Sequence, residues 1–181
     1  MQHFYTRKGD DGMTGILGEG RLPKDDLRFD ALGNLDECSA HCGILRAQLK
    51  DVRDREMILT IQKDLYHLMA ETAADKTNAV QFRSLNAERV LWLEEQIERL
   101  SASTKMPSEF ILPGETLLGA EVSVTRAVVR RAERSLTALV HQGVVENTFL
   151  LKYLNRLSSL LFALEVKTST QPGHRITTAG G

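Results

Sequence analysis

Four arginines fall within the nine residues Arg126–Arg134. Arg126, Arg130 and Arg134 recur every four residues, so on a helix they share one face. Like charges at that spacing cost an isolated helix about 0.2–0.5 kcal/mol per pair. Such a face calls for a counter-charge: carboxylates of a neighbouring helix, the phosphates of a ligand or, most simply, water. A second candidate is Thr6–Arg7–Lys8–Gly9–Asp10–Asp11–Gly12–Met13–Thr14–Gly15. Its glycines let backbone N–H groups close on an anion, and its threonines add donors. It lacks the Gly-Lys-Ser/Thr ending of a Walker A loop. Asp10 and Asp11 would repel phosphate unless a cation intervenes or they point away, and a plain surface turn is the alternative. Lys24, after Pro23, is a point charge suited to a triphosphate. Beside Arg130 it would complete a cationic pocket; otherwise it is an ordinary surface lysine.

Other chemistries are absent from the pattern. No Gly-x-Ser-x-Gly elbow, His-Glu-x-x-His or paired-carboxylate signature occurs. An enzyme built on these residues works by positioning and electrostatics rather than through a side-chain nucleophile. Cys38 and Cys42 flank His41, but this is not structural zinc spacing; small buried residues on a helix face are expected. Asp64 and His67 stand three apart as in di-iron bundles, but those sites need a second such motif and two more carboxylates. No metal ligand is assigned.

The elements that must carry these residues follow from periodicity. Five glycines in residues 1–24 forbid regular helix and read as an ordered loop or short hairpin. A helix over about 25–50 turns Leu35, Cys38, Cys42, Leu45 and Leu49 inward, with Asp36, Ser39, Gly43 and Arg46 on a flanking face. A second, about 54–79, buries Ile58, Ile61, Leu65, Leu68 and Thr72. A third, about 86–102, carries Val90, Leu93, Ile97 and Leu100. Residues 101–107 form a loop, and Phe110–Ile111–Leu112 is an apolar segment closed by Pro113–Gly114; from sequence alone Phe110 reads as a core aromatic anchoring that loop. The arginine helix spans about 116–142, with Leu118, Val122, Val129, Ala132, Leu136 and Leu139 beside the charged face, and ends near Gly143. The fifth helix, about 147–168, buries Leu150, Leu154, Leu157, Leu161 and Leu164, with Asn155 one position off the stripe. The tail, 168–181, is polar and expected to be mobile. Five periodic segments without a convincing strand predict an all-α, five-helix bundle in one domain, 1–181, with residues 1–24 as an ordered loop suited to phosphate.

Composition narrows the function classes. At 42% hydrophobic and 26% charged residues, the 181-residue chain is an ordinary globular domain with room for a core. A net charge of −1 argues against nucleic-acid binding. No run of 18 apolar residues suggests a membrane span, and the N-terminus MQHFYTRKGDDG is no secretory signal, so a cytoplasmic location is expected.

Six motifs in order resemble one family: Thr6–Thr14, Pro23–Lys24, Gly33–Glu37, Phe110–Gly114, Arg126–Arg134 and Tyr153–Ser158. Together they resemble the PduO-type ATP:corrinoid adenosyltransferases, over residues 4 to about 166. The resemblance implies a homotrimer of five-helix bundles with active sites at the subunit interfaces. It implies transfer of the 5′-deoxyadenosyl group of ATP to cob(I)alamin with release of triphosphate, magnesium accompanying ATP. A reductase and an adenosylcobalamin-dependent acceptor enzyme are the implied partners. Thr6, Arg7, Lys8, Gly9, Thr14, Gly15, Lys24, Arg130, Arg131, Glu133, Arg134 and Asn155 fall on its ATP-contacting positions. Asp36 and Arg126 fall on an intersubunit ion pair, and Phe110 on the aromatic beneath the cobalt. Glu115, Ser123, Val129 and Ser159 depart from the family pattern, and Glu115 bears on the shape of the loop after Phe110. A non-catalytic nucleotide- or corrinoid-binding bundle is the alternative.

Overall fold

The computed structural model describes residues 4–102, 104, 106–107, 109–170 and 176–180. Ser103 and Lys105 of the expected loop, and 171–175 and 181 of the tail, lie outside the described residues. Five helices make the body: α1 Leu27–Gln48, α2 Val52–Ala73, α3 Ala87–Ala102, α4 Leu117–His141 and α5 Phe149–Ser169. Their starts are capped by side chains that satisfy N–H groups with no intrahelical acceptor. Asp26 accepts from Arg28 N, Asp51 from Asp54 N and Thr116 from Gly119 N. At α5, Asn147 Oδ1 accepts from Phe149 N at 3.0 Å.

The helices pack in the order α2–α1–α4–α5–α3. Every expected inward position is buried except Leu118 and Ile97, which are partly buried against the core. Side chains close the remaining seam between α2 and α3. Asp64, buried on α2, accepts from Arg89 Nε at 3.2 Å and from the hydroxyl of Tyr153 at 2.7 Å. Asp54 accepts from Arg99 at 3.1 Å and Lys167 at 2.6 Å. Asp64 is thus an ion-pair residue, and no cluster of three potential metal ligands occurs among the described residues. Cys38 and Cys42 are fully buried, and burial pushes both thiols up to about 12.

Two expectations are corrected. Helix α2 stops at Ala73 rather than near 79 because its last carbonyls are taken from outside. Leu17 N donates to Ala73 O at 2.9 Å, and buried Arg28 donates to Ala74 O, a cation placed where a helix end favours one. A single 3₁₀ turn, Ala79–Phe82, follows. The tail is also less free than its composition suggests. Helix α5 runs to Ser169, and residues 176–180 return to the Phe110 segment: Leu112 N donates to Thr177 O at 2.9 Å and Ala179 N to Phe110 O at 2.8 Å.

The glycine-rich N-terminus folds as a hairpin of two three-residue strands, β1 Met13–Gly15 and β2 Arg21–Pro23, with Thr14 opposite Leu22. It docks on the end of α2. Asp75 N donates to Leu17 O at 3.1 Å and Glu19 N to Asp75 Oδ2 at 3.1 Å. A Cβ on Gly18 would lie 1.8 Å from Asp75 Oδ2, so no larger residue fits this junction unmoved. The Thr77 hydroxyl and the Asn78 N–H, both donating to Asp75, lower its pKa to about 2.

Candidate functional site

The candidate anion-binding half begins at the hairpin. Arg21, unremarked in the sequence, organises it. Its guanidinium grips the Asp11 carboxylate with two 2.9 Å bonds and donates to Met13 O at 2.9 Å and to Lys8 O. Asp11 is thereby neutralised, and its carboxyl is held below the ordinary range first by Arg21 and then by the Met13 N–H. One of the two carboxylates that would repel phosphate is thus disarmed by a cation of the same loop. Arg7 sits at φ 59°, a left-handed conformation rare for a side-chain-bearing residue, with its guanidinium 5.4 Å from the Tyr5 ring centroid. Lys24 Nζ donates to Gly9 O at 2.6 Å, and a Cβ on Gly9 would lie 3.0 Å from that nitrogen. Thr6, Lys8, Gly9, Thr14, Gly15 and Lys24 therefore belong to one small, internally braced loop; Thr6 Oγ1 accepts from Lys8 N at 3.4 Å.

The second half runs along the α4–α5 seam. Glu133 accepts from Asn155 Nδ2 at 3.1 Å. Arg130 lies below it, lining a cavity of about 310 Å³ with Ile97, Met106, Arg126, Ser159 and Phe162. Among the described residues Arg130 has no carboxylate partner. Arg134 donates to Arg130 O at 3.1 Å, as their i,i+4 spacing allows. Lower still, Arg126, Phe162, Phe110, Glu109 and Ile111 line a second cavity of about 360 Å³. The shared face of Arg126 and Arg130 is thus one wall of a cleft: Phe110, Phe162, Glu109 and Arg126 at its lower end, Arg130 in the middle and the Glu133–Asn155 pair beyond.

Several expected residues fall elsewhere. Arg131 turns to the α1–α4 seam, where it donates to Glu37 and, at 3.0 Å, to Asn34 Oδ1; within one chain it is a helix-to-helix tie. No hairpin residue lines the Arg130 cavity. Asp36 is exposed on α1, while Arg126 pairs instead with Glu165 at 3.4 Å. Phe110 is 88% exposed, which overturns its reading as a core aromatic. Glu115 accepts a hydrogen bond from the Thr177 hydroxyl, so this departure from the family pattern ties the tail to the loop. Phe162 was legible in principle: Asn155, Ser159 and Phe162 are spaced four and three apart, on one face of α5. Arg21 and the tail carried no local signal, because their partners are distant in sequence.

A five-helix bundle with a braced glycine-rich hairpin and an arginine-lined cleft defines an all-helical protein with a cationic cleft. Residues 4–168 match the family described as cobalamin adenosyltransferase, and the chain belongs to that family. It is 34% identical over 173 residues to a corrinoid adenosyltransferase of Citrobacter freundii, covering 95% of this chain and 98% of that protein. It is 36% identical over 164 residues to one from Bacillus subtilis, covering 88% and 83%. Its fold superimposes with a TM-score of 0.91 on a phenylalanine-to-histidine variant of the PduO-type ATP:corrinoid adenosyltransferase of Lactobacillus reuteri complexed with cobalamin and ATP. That pair shares 27% identity over 99% of this chain and 97% of the other. No helix among the described residues is long and apolar enough to cross a membrane.

Proposed function

We propose that this chain transfers the 5′-deoxyadenosyl group of ATP to the cobalt of cob(I)alamin or a related corrinoid. The observation that carries the reading is the continuity of Arg130, a cation without a carboxylate partner among the described residues, with a cavity bordered by Phe110 and Phe162 as well as by Glu109 and Arg126. An anion and a flat apolar body fit side by side. Cobalt(I), the substrate nucleophile, attacks C5′ of the ribose; the Co–C bond forms, the C5′–O5′ bond breaks and its electron pair leaves with triphosphate. The protein needs no nucleophile of its own. Lys24 and Arg130 stabilise the departing charge, Lys24 by exchanging Gly9 O for a phosphate oxygen. Magnesium lowers the charge of the triphosphate. It would be held by the phosphates and water with at most one or two carboxylates, the usual mode for this ion. Thr6, Arg7, Lys8, Gly9, Thr14 and Gly15 wrap the phosphates, and Glu133, Arg134 and Asn155 bound the nucleotide from the helices.

A cavity at Arg130 that no hairpin residue lines supports an assembly in which the hairpin of one subunit faces the cleft of the next. A homotrimer meets that need, with Arg126 then accessible to Asp36 of the neighbouring subunit. Phe110, exposed at the cavity mouth, occupies the lower face of the corrin ring and keeps a lower ligand from the metal. This eases reduction to cobalt(I), because such a ligand raises the energy of the orbital that accepts the electron. A reductase and an acceptor enzyme for the product complete the sequence. The test is turnover: protein, ATP, Mg²⁺ and chemically reduced cobalamin in the dark should yield adenosylcobalamin and triphosphate in equal amounts. Tight binding of both substrates without product would favour a cofactor-carrying bundle instead.

A further inference from the structure

Glu165 on α5 is 1% exposed, and only one of its oxygens is used. Oε2 accepts from Arg126 Nε at 3.4 Å, while Oε1 is buried with no hydrogen-bond partner among the described residues. Buried carboxylates ordinarily collect several donors, and a half-satisfied one calls for an explanation. Stability is a poor one. The contact is single and long, and an apolar residue of similar volume would pack this seam without desolvating a charge, as Leu161 and Leu164 already do.

Geometry supplies a better explanation. Phe162 lies three residues before Glu165, on the same face of α5. The Arg126 guanidinium stands 5.8 Å from the Phe162 ring centroid while its Nε is bound to Glu165. Acid and ring therefore clamp one guanidinium from α5. Arg126 lines both cavities, the one with Phe110 and the one with Arg130. Among the described residues only its Nε is bonded to a carboxylate, which leaves both Nη nitrogens for a group that enters the cleft.

We propose that Glu165 is a positioning residue for the corrinoid end of the cleft: it holds Arg126 by Nε so that the Nη nitrogens are preset for the substrate or for the neighbouring subunit. This rests on the reading of that cavity as the corrinoid site. A carboxylate that acts through Arg126 should alter corrinoid use and leave nucleotide binding alone, and its effect should vanish when Arg126 is absent.

The experiment compares the full chain with E165Q, R126M and the double variant. Thermal midpoint, ATP affinity by calorimetry, and KM and kcat for chemically reduced cobalamin at saturating ATP are measured. In E165Q the cobalamin KM should rise about tenfold, the scale of one lost charge-assisted hydrogen bond, with ATP affinity unchanged within about twofold. R126M strands the buried carboxylate, so its midpoint should fall; the double variant should recover the midpoint and keep the KM of R126M. An unchanged cobalamin KM in E165Q beside a raised one in R126M overturns the proposal. Additive effects in the double variant overturn it too, as does an E165Q protein that loses stability, ATP binding and activity together. If R126M itself leaves cobalamin KM unchanged, the corrinoid reading of the cavity falls, and the proposal with it.

Discussion

Replacing Phe110 with alanine separates folding from chemistry more sharply than any other single change. Truncating a fully buried phenylalanine costs about 3–5 kcal/mol. Phe110 is 88% exposed, so only about a tenth of that interaction is at stake, roughly 0.5 kcal/mol. In a chain of this length 1 kcal/mol moves the thermal midpoint by about 2–4 °C, so the expected shift is about 1–2 °C. The hydrogen bond from Ala179 N uses the Phe110 backbone carbonyl and survives the substitution. Function should respond very differently. Covering an aromatic side chain with a corrin ring is worth about 1.5–3 kcal/mol, a factor of about 10–100 in the steps that use it. Activity from cob(II)alamin with a mild reductant should fall by about that factor, and less when cob(I)alamin is supplied ready-made. Electron paramagnetic resonance of cob(II)alamin bound with ATP should show a four-coordinate signal in the parent and a five-coordinate one in F110A. A midpoint lowered by 10 °C or more, with ATP binding lost in parallel, would return Phe110 to a packing role. Identical five-coordinate signals from both proteins would remove it from the metal.

Lys24→Ala and Arg130→Ala should each weaken ATP binding about 10–100-fold in calorimetric titration, since a hydrogen bond to a charged group is worth about 1.5–3 kcal/mol; unchanged affinity in both ends their assignment. Arg21→Ala should release Asp11 and loosen the hairpin, lowering ATP affinity several-fold with the thermal midpoint almost constant, because the Arg21–Asp11 pair is exposed. Asp75 has a depressed pKa, so its contribution to hairpin docking is fully present above the unfolded value of 3.8 and is lost as pH falls towards about 2; the protection of the Leu17 and Glu19 amides against exchange, relative to the unfolded-chain rate at the same pH, should fall over that window, and in D75N at neutral pH. Cys38 and Cys42, raised to about 12 by burial, should resist alkylation at pH 8 in the native protein and react only on unfolding.

The five helices and nearly all of the core were legible because each is a local pattern. Leu35, Cys38, Cys42 and Leu45 must share a face at 3.6 residues per turn whatever packs on them. The same rule put Arg126, Arg130 and Arg134 together, and the structure keeps Arg126 and Arg130 on one cleft wall, with Arg134 bonded to the Arg130 carbonyl. Motif order identified the family, since six short motifs in sequence need no coordinates. What the sequence left open was which partner each face meets. Arg131, one residue past Arg130, goes to Glu37 across another seam, and Arg126 finds Glu165, 39 residues away. The early end of α2 depends on Leu17 and Arg28 taking carbonyls that Thr72–Ala73–Ala74 would by local propensity have kept in helix. Arg21 disarms Asp11, and the tail pairs with Phe110, through contacts between segments with no shared period. Helical spacing fixes direction around one axis; choosing among neighbours takes loop closure and burial of the whole chain, which only the tertiary structure decides.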